Sequence, residues 1–151
     1  MKKLILSAIL LITVALMAKE SEGQNQVYYT VNNLPLNGTF VEQYNNGNYK
    51  TEINLSNGNL NGQVMLYFEN GQTKEIRSYK NGKFHGEWKT YNEKGQLLAQ
   101  AFYVNDLKDG KWTFWDKNGV KRCEINYTMG KRTGIWLIWD AKGKLIDSKS
   151  Y

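Results

Sequence analysis

Proline, cysteine and histidine occur once each in the 151 residues. The single cysteine, Cys123, excludes an internal disulfide, so burial and hydrogen bonds alone must hold the fold. The reading given to Cys123 is a small buried side chain on a strand. The single histidine, His85, would have to serve any Ser-His-Asp or Cys-His arrangement, and no nucleophile elbow accompanies it. A metal site needs several His, Cys or carboxylate ligands, and the sequence clusters none, so no metal and no cofactor are expected. There is no P-loop and no dinucleotide-binding glycine fingerprint. Paired carboxylates would suffice for glycoside hydrolysis, but the acids are scattered over slots read as exposed strand or turn, such as Glu52, Glu93, Asp116, Asp140 and Asp147. No catalytic residue is assigned, and the chain is read as not an enzyme.

Long apolar runs are also scarce. The longest, Leu4 to Met17, has 14 residues, short of the ~20 that span a bilayer as a helix. Lys2 and Lys3 precede it, and small Ala18 and polar Lys19-Glu20-Ser21-Glu22 follow. That is the three-part pattern of a secretory signal peptide, expected over 1–18. A polar, disordered lead is expected over 19–26. The location is therefore expected to be extracytoplasmic: periplasmic, cell-surface or secreted.

What is abundant is glycine, with 14 residues, and aromatic side chains, at 13% of the chain. With so little proline, this favours strands joined by tight turns. Asparagine often precedes glycine, as in Asn46-Gly47, Asn57-Gly58, Asn70-Gly71, Asn81-Gly82 and Asn118-Gly119. That pair is the strongest short-range signal of a β-hairpin.

The glycines are periodic. Gly38, Gly62, Gly86, Gly110 and Gly134 stand 24 residues apart. Each opens a copy, and a slot is numbered here by its distance from that glycine. Slot 2 holds Phe40, Val64, Trp88, Trp112 and Trp136; slot 5 holds Gln43, Tyr67, Tyr91, Trp115 and Trp139; slot 17 holds Leu55, Tyr79, Tyr103, Tyr127 and Tyr151. A half copy is expected over 27–37, with Val27, Tyr29 and Val31 on a second strand, and the repeat domain spans 27–151. One hairpin buries too little to stand alone, so the copies must stack and share their aromatics. The fold class expected is all-β: an open antiparallel β-meander of about 11 strands, roughly 50 Å long at ~4.8 Å per strand.

The run Tyr79-Lys80-Asn81-Gly82-Lys83-Phe84-His85-Gly86-Glu87-Trp88-Lys89-Thr90-Tyr91 resembles the MORN repeat: an aromatic, a glycine, then Gly-x-Trp and a further aromatic. The 24-residue spacing is similar to the bacterial variant, found in many exported proteins and in a YwqK-like antitoxin family. The match weakens in copy one, where Gln43 replaces the aromatic, and in copy two, where Val64 replaces Trp. The resemblance implies a single-layer sheet used for contacts with proteins or lipids, and no catalytic residues.

Slots 2 and 5 differ in parity, so their rings are expected on opposite faces. Tyr67, Tyr91, Trp115 and Trp139 then form a row that either packs internally or meets a partner. Leu107 to Tyr151 holds ten basic and five acidic residues. Of these, Lys121, Arg122, Lys131 and Arg132 complete the candidate interaction surface and permit weak attraction to an anionic surface or lipid. Interleaved bases and aromatics also suit single-stranded nucleic acid, but an exported chain argues against that. The expected function is a secreted or periplasmic module that binds a protein partner. The alternative is an antitoxin or immunity-like protein that neutralises one toxin.

Overall fold

A computed structural model describes the backbone of residues 4–6 and residues 29–151. The expected signal peptide and lead lie outside the described residues, apart from a strand β1 (Leu4–Leu6). A small hairpin follows, β2 (Thr30–Val31) and β3 (Leu34–Pro35). The first two copies are β4 (Gly38–Gln43) with β5 (Tyr49–Ser56), a short rung β6 (Asn59–Leu60), and β7 (Gly62–Tyr67) with β8 (Thr73–Lys80). The third is β9 (Lys83–Tyr91) with β10 (Leu97–Val104), followed by a second rung, β11 (Leu107–Lys108). The last two are β12 (Gly110–Trp115) with β13 (Lys121–Thr128), and β14 (Lys131–Trp139) with β15 (Leu145–Ser150).

The architecture is an open, all-β meander. Thirteen strands form one sheet in the order β1-β4-β5-β7-β8-β9-β10-β12-β13-β14-β15, with β6 on β5 and β11 on β10. Every pairing is antiparallel except β1 with β4. The strands outnumber the eleven or so expected because the links at Asn59–Leu60 and Leu107–Lys108 make rungs of their own. Elsewhere the link runs straight into the next strand: Lys83–Gly86 is part of β9, not a separate return.

Asn-Gly pairs play two different parts. At Asn57-Gly58 and Asn81-Gly82 both residues have positive φ, the two-residue turn whose twist matches a hairpin. At Asn46-Gly47, Asn70-Gly71 and Asn118-Gly119 only the glycine does. Those lie in the longer turns inside each copy, where the ladder also slips by one residue, as between Phe114 and Trp115.

The half copy departs from the repeat frame. Counting back 24 residues from Asn57-Gly58 puts its turn at Asn33-Leu34. The turn forms at Asn32 and Asn33 instead, with φ of 51° and 62°. Branched Leu34 cannot enter the left-handed region cheaply, whereas asparagine tolerates it. β2 and β3 consequently form a separate two-stranded sheet. Backbone bonds from Tyr29 N to Gly58 O and from Gly58 N to Leu36 O tie it to copy one.

Adjacent strands place slots 2 and 4 opposite slots 15 and 13, and slot 0 opposite slot 17. These residues share one face, called front here. Most of the core lies there: Leu55, Val64, Ala101, Trp112 and Tyr127 are buried. The back face is not uniformly polar. Val41 is 1% exposed, and Glu52, read from sequence as exposed, is 7% exposed. The register sets Glu52 between Val41 and Met65 of the neighbouring strands, whose side chains flank it.

Candidate interaction surface

The front face carries a continuous run of rings. Centroids lie 5.0 Å apart for Tyr79–Phe84, 5.1 Å for Phe84–Trp88, 5.4 Å for Trp88–Tyr103, 5.1 Å for Tyr103–Trp112 and 5.2 Å for Trp112–Tyr127. These separations suit tilted and edge-on packing. Trp136–Tyr151 makes one further pair at 5.9 Å.

Each indole N–H must find an acceptor. Slot 13 of the preceding copy supplies it where it can: the Glu75 carboxylate accepts from Trp88, and Cys123 Sγ accepts from Trp136 at 2.8 Å. Ala99 in the same slot has nothing to offer, so Trp112 donates to the Phe102 carbonyl at 3.0 Å. Cys123 is thus a half-buried, free thiol on a strand with a stated partner.

Slot 22 lies opposite the slot 17 tyrosine and over the rings of the following copy. Phe84 fills it with a third ring, packing on both Trp88 and Tyr103. Lys108 stands 4.8 Å from the Trp112 ring and 5.2 Å from Tyr127. Arg132 stands 4.9 Å from Trp136 and 5.4 Å from Tyr151. Hydrogen bonding to the Tyr127 and Tyr151 hydroxyls raises the Arg132 pKa further. Cations over ring faces interact favourably, so this slot changes from apolar to cationic without uncovering the rings.

The back face carries the slot 5 row. Along β12, Trp112 and Phe114 face front while Thr113 and Trp115 face back, by simple alternation. Tyr67, Tyr91, Trp115 and Trp139 are all half-buried. Tyr67 meets Tyr49 edge-on at 6.2 Å, and Lys121 Nζ lies 4.3 Å from the Trp139 ring centre. Lys121 and Lys111 both pair with Glu124, at 3.1 and 3.0 Å. Burial works against the Glu124 charge, but bonds from Lys111 and Lys121 outweigh it and hold its carboxyl below the usual range. Alternation puts Glu124 on the face away from Ile125, but nothing in the sequence signals this bridging role.

The eight candidate residues are therefore divided. Tyr67, Tyr91, Trp115, Trp139 and Lys121 share the back face. Arg122 is tied to the turn: its Nε donates to the Trp139 carbonyl at 3.0 Å, and it pairs with Asp116 at 3.4 Å. Arg132 covers front-face rings, and exposed Lys131 precedes it in β14. Of two other sequence readings, one is met and one is not. Asp116 and Asp140 share a turn role, each accepting two backbone N–H groups within its own turn. His85, which by its place before Gly86 reads as a turn residue, lies instead in β9, because the link runs straight into that strand, and its ring sits 3.3 Å from Asn105. Among the described residues, no three His, Cys, Asp or Glu side chains are grouped as a metal would need.

A single-layer sheet of stacked hairpins with a shared ring ladder defines a β-repeat protein. Residues 60–81, 84–105 and 108–128 match the family model of the MORN repeat variant, and the chain is a MORN-repeat protein. No curated protein matches it. Among solved structures, the crystal structure of the GtfA/B complex bound to UDP and GlcNAc is similar over 91% of this chain, at 14% identity and a TM-score of 0.31. The chain spans 29% of that structure's chain.

Proposed function

We propose that the chain is an exported, non-catalytic module that binds a protein partner through its back face. The observation that carries this reading is the row Tyr67, Tyr91, Trp115 and Trp139. It offers one half-buried ring per copy from the second copy on, on the face that lacks the continuous ring ladder. Aromatic side chains beside a cation are the usual anchors of protein interfaces, and Lys121 over Trp139 supplies one such cation. The membership of a repeat family commonly used for binding supports it. The N-terminal pattern of Lys2, Lys3 and an apolar run supports export.

The test is affinity capture from an envelope fraction, with the intact protein and with Trp115→Ala/Trp139→Ala. A protein held by the first, lost by the second and rebound when purified supports the proposal. Equal recovery by both refutes it. N-terminal sequencing of the protein from its own cells checks export: the mature chain is expected to begin near Lys19.

A further inference from the structure

We propose that β15 pairs with β15 of a second copy of this chain, antiparallel and centred on Ser148, to form a two-fold dimer with one continuous sheet. The proposal is independent of the back-face reading.

β15 has no partner strand on its outer side among the described residues, and all six of its residues are exposed. Its inner side is settled by the ladder. Tyr151 N donates to Gly134 O at 2.9 Å, and Trp136 pairs with Lys149 and Ile138 with Asp147. Antiparallel backbone groups alternate in direction. The N–H and C=O groups of Asp147 and Lys149 therefore point inward with those of Tyr151. Those of Ser148 and Ser150 point outward, and Ile146 stands where the ladder slips by one residue. The Ser148 N–H shows this directly: lacking a strand, it is capped by the Asp147 carboxylate at 2.8 Å.

Outward groups can pair only with outward groups, which leaves few registers. A register centred on Asp147 sets two aspartates face to face. One centred on Lys149 opposes two lysines. Like charges directly opposite destabilise a strand pair. The register centred on Ser148 sets Asp147 opposite the second copy's Lys149, and the reverse, while Ile146 meets Ser150. Ser148 then meets itself, and its N–H exchanges the carboxylate for a carbonyl. Strand edges are normally protected by charge; here the charges alternate in sign so that they complement a copy of themselves. The junction repeats the strand pairing already made between successive copies, as β8 with β9 and β13 with β14. Exposed Ile135, Ile146 and Tyr151 lie on the same hairpin. A single strand pair is a small interface of the transient class.

Sedimentation or light scattering of the purified protein tests this. The mass should rise from one chain to two across the micromolar range. Asp147→Lys alone, or Lys149→Asp alone, should weaken the dimer by about tenfold or more. The double exchange Asp147→Lys/Lys149→Asp should restore it, with far-ultraviolet spectra unchanged throughout. Ser148→Pro removes an outward N–H and should abolish pairing. One chain at every concentration would overturn the proposal, as would single exchanges that dimerise normally or a double exchange that stays monomeric.

Discussion

Met129 occupies a turn position that suits it badly. Its φ is 49°, and the same slot in earlier copies holds Asn57, Asn81 and Asn105 at 49°, 51° and 49°. Left-handed backbone costs an ordinary L-residue roughly 1–2 kcal/mol, while asparagine escapes part of that cost. Met129 recovers little by burial, being 58% exposed. Its N–H donates to Asp109 Oδ1 at 3.1 Å, a bond that any residue but proline keeps. Met129→Asn should therefore stabilise the protein by about 1 kcal/mol. For a domain of this size that is a rise of about 2–5 °C in the melting temperature. The reciprocal change, Asn57→Met, should lower it by a similar amount. Thermal unfolding followed by circular dichroism reads both. An unchanged or lower melting temperature for Met129→Asn, or no loss in Asn57→Met, would refute the claim that these turns set the cost.

Three further outcomes follow from the packing. Trp112→Ala should cost about 3–5 kcal/mol in urea unfolding because its ring is buried between Tyr103 and Tyr127; Trp115→Ala, half-buried on the other face, should cost roughly 1–2 kcal/mol. Equal costs would remove the distinction between the two rows. The Asp116 carboxyl is held below the usual range, first by the Asn118 backbone N–H and then by the N–H of Val120 and by Arg122. A depressed folded-state pKa adds stability above the unfolded value, near 3.9, and loses it as pH falls through the folded one. The Asn118 and Val120 amide signals should therefore titrate on the acid side of an ordinary aspartate. In Asp116→Asn that titration should vanish with the turn intact, since Asn92 already serves the same slot. Cys123→Ser should keep the Trp136 indole bonded, whereas Cys123→Val should shift its fluorescence and cost about 1 kcal/mol.

The period of 24 made most of this fold legible. Equal spacing of Gly38 to Gly134 fixed the copies, and parity alone separated the Trp112 row from the Trp115 row. The turn aspartates were legible for the same reason, because two copies agreed. What escaped the sequence was whatever changes type between copies. Slot 22 runs through Leu60, Phe84, Lys108 and Arg132, and nothing in that series announces a common place over the rings. Arg132 could thus be grouped with Lys121 by charge, although the sheet lies between them. The half copy misled differently: its turn moved by one residue because Leu34 cannot bend as glycine does. Glu52 was misjudged because alternation gives a face but not the side chains beside it.

The half copy and copies one and three each reach into the next copy with a side chain. Asn37 Oδ1 accepts from Asn57 N, Asn61 Oδ1 from Asn81 N, and Asp109 Oδ1 from Met129 N. These ties span 20 residues each and all run the same way along the chain. Such a chain can change length only in whole units. Excising 62–85 would join Asn61 to the turn at Asn105 with the 20-residue spacing of the tie kept, and the sheet would simply be two strands shorter. Removing one residue fewer would turn every later side chain over, sending tryptophans to the wrong side from the cut to the last strand.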